Sequence, residues 1–194
     1  VKALAQAIAR HRVNALVAPP AMLAQFVAGL AGDAGPFPSL GYVEVSGGRL
    51  SGRLARHAIA HVSPHLYVCY GSTECGVAAY SPWQETAGRP GAAGRLVPGG
   101  VEVAVVDANG APLPRGSEGR LRFRGATCAR GYADGSGPND PFRDGWFESG
   151  DLGHIDPDGM LVIAGRDDER INIGGAKIAP ERLETVMGAD VVSR

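Results

Sequence analysis

Apolar residues in the first 70 positions alternate between helical and strand spacing, whereas from about residue 95 they fall in short β-rich runs divided by turn sequences. That change of rhythm restricts the chain to a layered α/β arrangement followed by a mainly antiparallel β part. Val1, Leu4, Ala5 and Ile8 fall at helical spacing, and NALVA at 14–18 reads as a short buried strand. Pro19-Pro20 can open a helix carrying Met22, Leu23, Phe26, Val27 and Leu30. LGYVEVS at 40–46 is a second strand ending in Gly47-Gly48, a helix covers about 49 to 61, and LYVCY at 66–70 is a third strand. Strands separated by helices favour a parallel sheet, whose ligands bind at the carboxyl ends of the strands. The loops after Ser46 and Tyr70 are therefore the places to look.

In the second half, VEVAVVD, RLRFRG and MLVIAG are strand-like runs separated by DANG, DGSGPND and DPDG. HIDPDGMLVIAG reads as a hairpin with Pro157, Asp158 and Gly159 in its turn. After Gly165 the sequence becomes charged, then Gly-rich, then helical from Pro180. Three parts are expected, over residues 1–95, 96–166 and 167–194. The chain opens at Val1 inside a periodic segment, and its last helix, ERLETVM, has little to pack against, so a piece of a longer protein is expected.

With 19 Lys and Arg against 20 Asp and Glu, the chain has no broad field for nucleic acid or acidic membranes. Any charged ligand must be held by local geometry. Cys69, Cys75 and Cys128 form neither a disulfide framework nor a CxxC metal site, which fits a reducing, cytoplasmic setting. No apolar run reaches the roughly 18 residues of a membrane span, and no signal-peptide pattern is seen. His57, His61 and His65 are spaced by four with Cys69 beyond, but HAIAH lacks the general-base Glu of HExxH and Pro64 interrupts the helix. Solvated helix-face histidines are the expected reading, over a zinc site.

Three stretches could carry chemistry. YGSTECG (70–76) follows an apolar strand and offers an aromatic face, the hydroxyls of Ser72 and Thr73, the Glu74 carboxylate and backbone N–H groups around Gly71. Such groups suit a purine, phosphate oxygens and a hard cation, although an ordinary polar strand-to-helix turn would read the same way. GWFESGDLG (145–153) sets Asp151 after an aromatic anchor, where it can accept from both hydroxyls of a ribose or simply cap a turn. GRDDERINIGGAKI (165–178) joins Arg166 to carboxylates and a glycine pair, as a charged linker also would.

Taken together and in this order, the stretches resemble the adenylate-forming ligase superfamily of acyl-CoA synthetases, peptide-synthetase adenylation domains and luciferases. YGSTE resembles its YGxTE loop, FESGDLG its aromatic-x-Thr-Gly-Asp motif, and GRDDERINIGGAKIAPERLE its hinge segment GRxDxxIxxxGxxIxxxEIE. Supporting echoes are SGG at 46–48, PGGVEVAVVD at 98–107, GRLRFRG at 119–125 and Gly131-Tyr132. Several ordered motifs are harder to meet by chance than one. Ser149 stands where Thr is usual, keeping the hydroxyl and losing a methyl.

The resemblance implies roles residue by residue. Tyr70 would stack on adenine within a nucleotide-binding loop that includes Gly71 and Ser72, Thr73 would bond the α-phosphate, and Glu74 would hold Mg2+. Asp151 would take the ribose hydroxyls, Arg166 would reach ribose or phosphate, and Gly47 and Gly48 would let backbone approach adenine and acyl group. Asp168 would be the hinge to a C-terminal domain. The implied reaction consumes a small-molecule carboxylic acid, ATP and coenzyme A, passing through an acyl-adenylate to an acyl thioester.

The family's Ser/Thr/Gly-rich phosphate loop has no counterpart in these residues, and Lys177 follows the hinge too closely to be the family's catalytic Lys. The segment is thus expected to be inactive alone and, with apolar surface uncovered, to self-associate. A peptide-synthetase adenylation domain is the alternative within the family, although INIGGAKI is more similar to the CoA ligases. A non-catalytic nucleotide-binding or interaction module is the alternative outside it. Nothing here anchors a particular acyl substrate.

Overall fold

A computed structural model of the chain describes residues 1–30, 35–135 and 140–167, together with the backbone of 171–173 and 176–178. Helix α1 (Lys2–His11) leads into β1 (Ala15–Ala18), α2 (Pro20–Ala28), β2 (Tyr42–Val45), α3 (Gly52–His61) and β3 (Leu66–Ser72). The three strands are parallel neighbours. Their shared face is apolar because YVEV and LYVCY alternate at the strand period, sending Val43, Val45, Leu66 and Val68 inward. Leu23 and Phe26 of α2 and Ala55 and Ala58 of α3 close over them in one cluster with Ile8. Ala55 and Ala58 are fully buried, so α3 meets the sheet through small side chains. On the opposite face Tyr42, Tyr67 and Tyr80 stack with centroids 5.1 and 5.3 Å apart along the row.

Local signals account for the helix starts. Pro20 occupies the first turn of α2 after an extended Pro19, where a missing N–H costs nothing. Ser51 caps α3, its hydroxyl accepting from the Leu54 N–H at 3.2 Å. Ser51→Ala is expected to cost about 1 kcal/mol, read as a lower urea midpoint at unchanged slope. An unchanged midpoint would mean that water replaces the cap.

Antiparallel pairing starts well before the change of composition near residue 95. From β3 the chain turns directly back into β4 (Gly76–Pro82), and a short helix α4 (Trp83–Thr86) leads to β5 (Ala92–Leu96). The alternative reading of YGSTECG as a strand-to-helix turn does not hold, since GVAAYSP alternates at strand spacing and pairs with β3 over its length. There follow β6 (Glu102–Val106), β7 (Gly119–Arg124), β8 (Phe142–Arg143), β9 (Trp146–Ile155) and β10 (Met160–Arg166). The expected hairpin at 154–165 is β9–β10, with a register shift between Ile163 and Gly165.

One sheet holds all of these, in the order β1-β2-β3-β4-β5-β10-β9-β7-β6 with β8 beside β9. Its antiparallel part encloses a second cluster around Ala78, Ala79, Val105, Leu121, Phe123, Phe147 and Leu161. A parallel α/β layer therefore runs into a mainly antiparallel β part, as the rhythm of the sequence predicts. Strands β11 (Ile171–Ile173) and β12 (Ala176–Ile178) form a separate antiparallel pair. The expected hinge at Asp168 and the helix from Pro180 lie outside the described residues. Among the described residues no helix is long and apolar enough to cross a membrane.

Candidate nucleotide site

The carboxyl end of β2 lies beside the middle of β3, since Val45 pairs with Val68 and β3 runs on to Ser72. Beyond β2 the chain runs through exposed Gly47 and Gly48, and Gly47 has φ 75°, a left-handed backbone that glycine adopts at no steric cost. Beyond β3 it enters the turn 73–75. Gly71 permits that turn, because a Cβ there would stand 2.2 Å from the Gly76 carbonyl oxygen of the paired strand. The Ser72 hydroxyl faces into the turn, accepting from the Cys75 N–H at 3.3 Å. Thr73 is exposed and Glu74 half-exposed at its tip.

Tyr70 and Asp151 are 81 residues apart in sequence and four strands apart in the sheet, yet the Tyr70 phenol donates to Asp151 Oδ2 at 2.5 Å. The sheet must curl for this contact to form. Tyr70 is placed by its ring, which rests tilted against the fully buried Phe123 of β7 at 6.0 Å. Asp151 is placed by its own backbone, whose N–H donates to the Ser149 hydroxyl at 3.1 Å. That bond gives the retained hydroxyl of Ser149 a structural purpose. Gly150, with φ 80°, leaves room for the Arg166 guanidinium, which would lie 3.2 Å from any Cβ added there. Arg166 faces Asp151 across the β9–β10 ladder and pairs with its Oδ1 at 3.4 Å.

The Asp151 carboxylate is only 15% exposed and holds one neutral donor and one cation, one on each oxygen. An ionised carboxylate offers about four acceptor positions, so two remain for further donors. Burial, followed by the charge of Asp151 and the hydrogen bond to it, pushes the Tyr70 phenol far above the ordinary tyrosine range. Tyr70 therefore stays protonated, and a donor, at any physiological pH. Adjacent hydroxyls of a ribose match the acceptor positions that remain.

At the neighbouring turn the Tyr132 phenol donates to Glu74 Oε1 at 2.7 Å. This bond, more than any other influence, lowers the Glu74 carboxyl below its ordinary range. A lowered folded-state value contributes stability above the ordinary carboxyl range, and that contribution is lost as pH falls through the folded value. Glu74 is thus ionised at neutral pH. With the Thr73 hydroxyl beside it, the turn offers hard oxygen ligands, and a single carboxylate suits a magnesium ion that keeps phosphate oxygens and water as its other ligands.

The structure therefore brings Tyr70, Asp151 and Arg166 into one hydrogen-bonded group, with Gly71, Ser72, Thr73 and Glu74 along the end of β3 and its turn, while Gly47 and Gly48 follow β2 and make no contact with the group. Sequence reasoning missed three contributors. Phe123, in the strand-like run RLRFRG, seats Tyr70, which nothing in the sequence signals. Thr127 and Tyr132 bond the 73–75 turn, and in the sequence only the Gly131-Tyr132 echo marks either of them. Pairing across the curled sheet is the missing information, and spacing alone does not carry it. Burial pushes the Cys69 thiol up to about 11 and also raises that of Cys128, so neither is a ready thiolate.

A family model described as AMP-binding enzyme matches residues 1–133. Enterobactin synthase component E of Escherichia coli is 37% identical over 93% of this chain, and salicylyl-CoA synthase / salicylate adenylyltransferase of a Streptomyces species is 34% identical over 93%. The match spans 34% and 33% of those relatives, so the chain covers about a third of their length. O-succinylbenzoate coenzyme A synthetase of Bacillus subtilis, solved in complex with ATP and magnesium ion, superposes with a TM-score of 0.79 at 23% identity, over 96% of this chain and 38% of that one. That likeness is one of fold.

Proposed function

The chain belongs to the AMP-binding enzyme family, and on that premise we propose that it carries the nucleoside half-site of an ATP-dependent carboxylate–CoA ligase. The observation that carries this reading is the Tyr70–Asp151–Arg166 group, in which Tyr70 from β3 and Arg166 from β10 converge on the Asp151 carboxylate of β9 and leave it acceptor positions to spare. In the proposed reaction a substrate carboxylate oxygen attacks the α-phosphorus of ATP. The bond to the β-phosphate breaks, and pyrophosphate leaves behind an acyl-adenylate. The thiolate of coenzyme A then attacks the acyl carbon and AMP departs.

The residues here mainly position the nucleotide for that displacement. Asp151 fixes the ribose, Tyr70 and Arg166 hold Asp151, and Arg166 offers a fixed cation toward ribose or phosphate. Thr73 would donate its hydroxyl to the α-phosphate. Glu74 would hold Mg2+, which when bound neutralises charge on the phosphates. Gly47 and Gly48 let the base and acyl group approach backbone, and Asp168 is assigned to a hinge that starts the part from 167 onward. The Streptomyces relative, named for salicylate, favours a small aromatic acid over a fatty acid.

The 194-residue chain is expected to bind AMP weakly and to leave pyrophosphate unexchanged into ATP, since these residues contain no match to the family's phosphate loop. Calorimetry with AMP and an isotope-exchange assay on the same preparation test both halves. Absence of AMP binding would sink the half-site reading. Robust exchange would show that the missing loop is not needed.

A further inference from the structure

The segment that leaves β7 crosses the Glu74 turn and is bonded to it three times. The Thr127 hydroxyl donates to the Cys75 carbonyl at 2.9 Å, the Ala129 N–H donates to the Glu74 carbonyl at 2.7 Å, and the Tyr132 phenol donates to Glu74 Oε1 at 2.7 Å. The first two bonds hold the backbone of the turn and the third holds its carboxylate. Tyr132 is itself held, its ring standing edge-on to Phe142 at 5.3 Å, with Phe142 packed on Phe147 at 5.1 Å. Phe147 is buried in the second core cluster. A line of aromatic contacts therefore runs from the core to the carboxylate.

We infer that Tyr132 is a positioning residue for Glu74. It ties one carboxylate oxygen and leaves the other to meet a divalent cation in a single orientation. The inference rests on the proposed nucleotide function for its consequence, but not for its geometry. A glutamate on an exposed turn otherwise samples several rotamers and loses that freedom when it binds a cation. A charge-assisted phenol–carboxylate bond removes most of the freedom beforehand. Asp140 is the other acidic group acting on Tyr132. Because Tyr132 follows β7, whose Phe123 seats Tyr70, one strand and its exit support both the nucleoside and the cation side of the site.

The test uses Tyr132→Phe in the 194-residue chain, which keeps the ring and removes the hydroxyl. Carboxyl-carbon NMR of Glu74 against pH reads the positioning without nucleotide, and titration of ATP with and without Mg2+ reads its consequence. The Glu74 titration is expected to move to higher pH. The gain in ATP affinity conferred by Mg2+ is expected to fall about 5- to 10-fold, somewhat less than the full worth of one charge-assisted hydrogen bond because Tyr132 only orients Glu74, while AMP binding stays within about twofold. In a Glu74→Gln background, Tyr132→Phe should change the Mg2+ effect no further.

An unmoved Glu74 titration would overturn the inference. So would a lower thermal midpoint accompanied by neither change, which would mark Tyr132 as structural only. A wild-type chain whose ATP binding ignores Mg2+ would overturn the cation reading of Glu74, and the Glu74 titration would then decide the positioning claim by itself.

Discussion

Asp151→Ala is expected to weaken AMP binding by at least about 150-fold, and Glu74→Ala less than about threefold. Two ribose hydroxyls donating to an ionised carboxylate contribute roughly 1.5–3 kcal/mol each, and the substitution removes both. It also leaves the Tyr70 phenol and the Arg166 guanidinium, which now meet on Asp151 at 2.5 and 3.4 Å, without their shared acceptor. The loss is costly at Tyr70, since its ring is pinned on Phe123 and its hydroxyl cannot turn freely to a new partner. Glu74 lies on a half-exposed turn and faces the expected phosphate side, where AMP bears one group and ATP three. Its loss is therefore read in the Mg2+ dependence of ATP binding and not in AMP affinity. Calorimetry on the two variants separates the roles. Equal losses on AMP would break the division of the site into a nucleoside side and a cation side.

Gly71→Ala is expected to lower stability by about 3 kcal/mol or more, a fall in thermal midpoint of roughly 6–12 °C for a chain of this size. The added Cβ would stand 2.2 Å from the Gly76 carbonyl oxygen and 3.0 Å from the Val77 Cα, and both are backbone atoms of the paired strand. No rotamer change can relieve a collision with backbone. The β3–β4 turn must open, and it carries Thr73, Glu74 and the bonds to Thr127 and Ala129. Gly41→Ala is the matched control, because a Cβ at Gly41 meets nothing within 4 Å. It should stay within about 0.5 kcal/mol of the parent. A Gly71→Ala chain with the parent's midpoint would show that the strands part easily at this rung.

What could be read from the residues depended on whether the signal was local. The parallel layer was legible because YVEV and LYVCY alternate and because Pro20 and Ser51 mark helix starts by their own chemistry. The β9–β10 hairpin was legible from its Asp-Pro-Asp-Gly turn. The return of β4 after YGSTE was not, since a strand-to-strand turn and a strand-to-helix turn share the same small and polar residues there. Only pairing with β3 distinguishes them. For the site, Asp151 and Glu74 could be chosen by motif, but no spacing rule joins Tyr70 to a carboxylate 81 residues away. That contact depends on the curl of a sheet whose order, β5-β10-β9-β7-β6, departs from chain order. Tyr132 was hidden for the same reason, as its partner lies 58 residues earlier.

The claim on which the rest depends is that Asp151, held by Tyr70 and Arg166, receives the hydroxyls of a ribose. It is tested most directly by comparing AMP with 2′,3′-dideoxy-AMP on the parent chain and on Asp151→Ala, all four affinities taken by calorimetry in one buffer. Removing the hydroxyls should cost the parent about as much as Asp151→Ala does, and should cost the variant nothing further, which is the signature of a single shared interaction. Equal affinity of the parent for AMP and its dideoxy analogue would contradict the account, whatever the variant did.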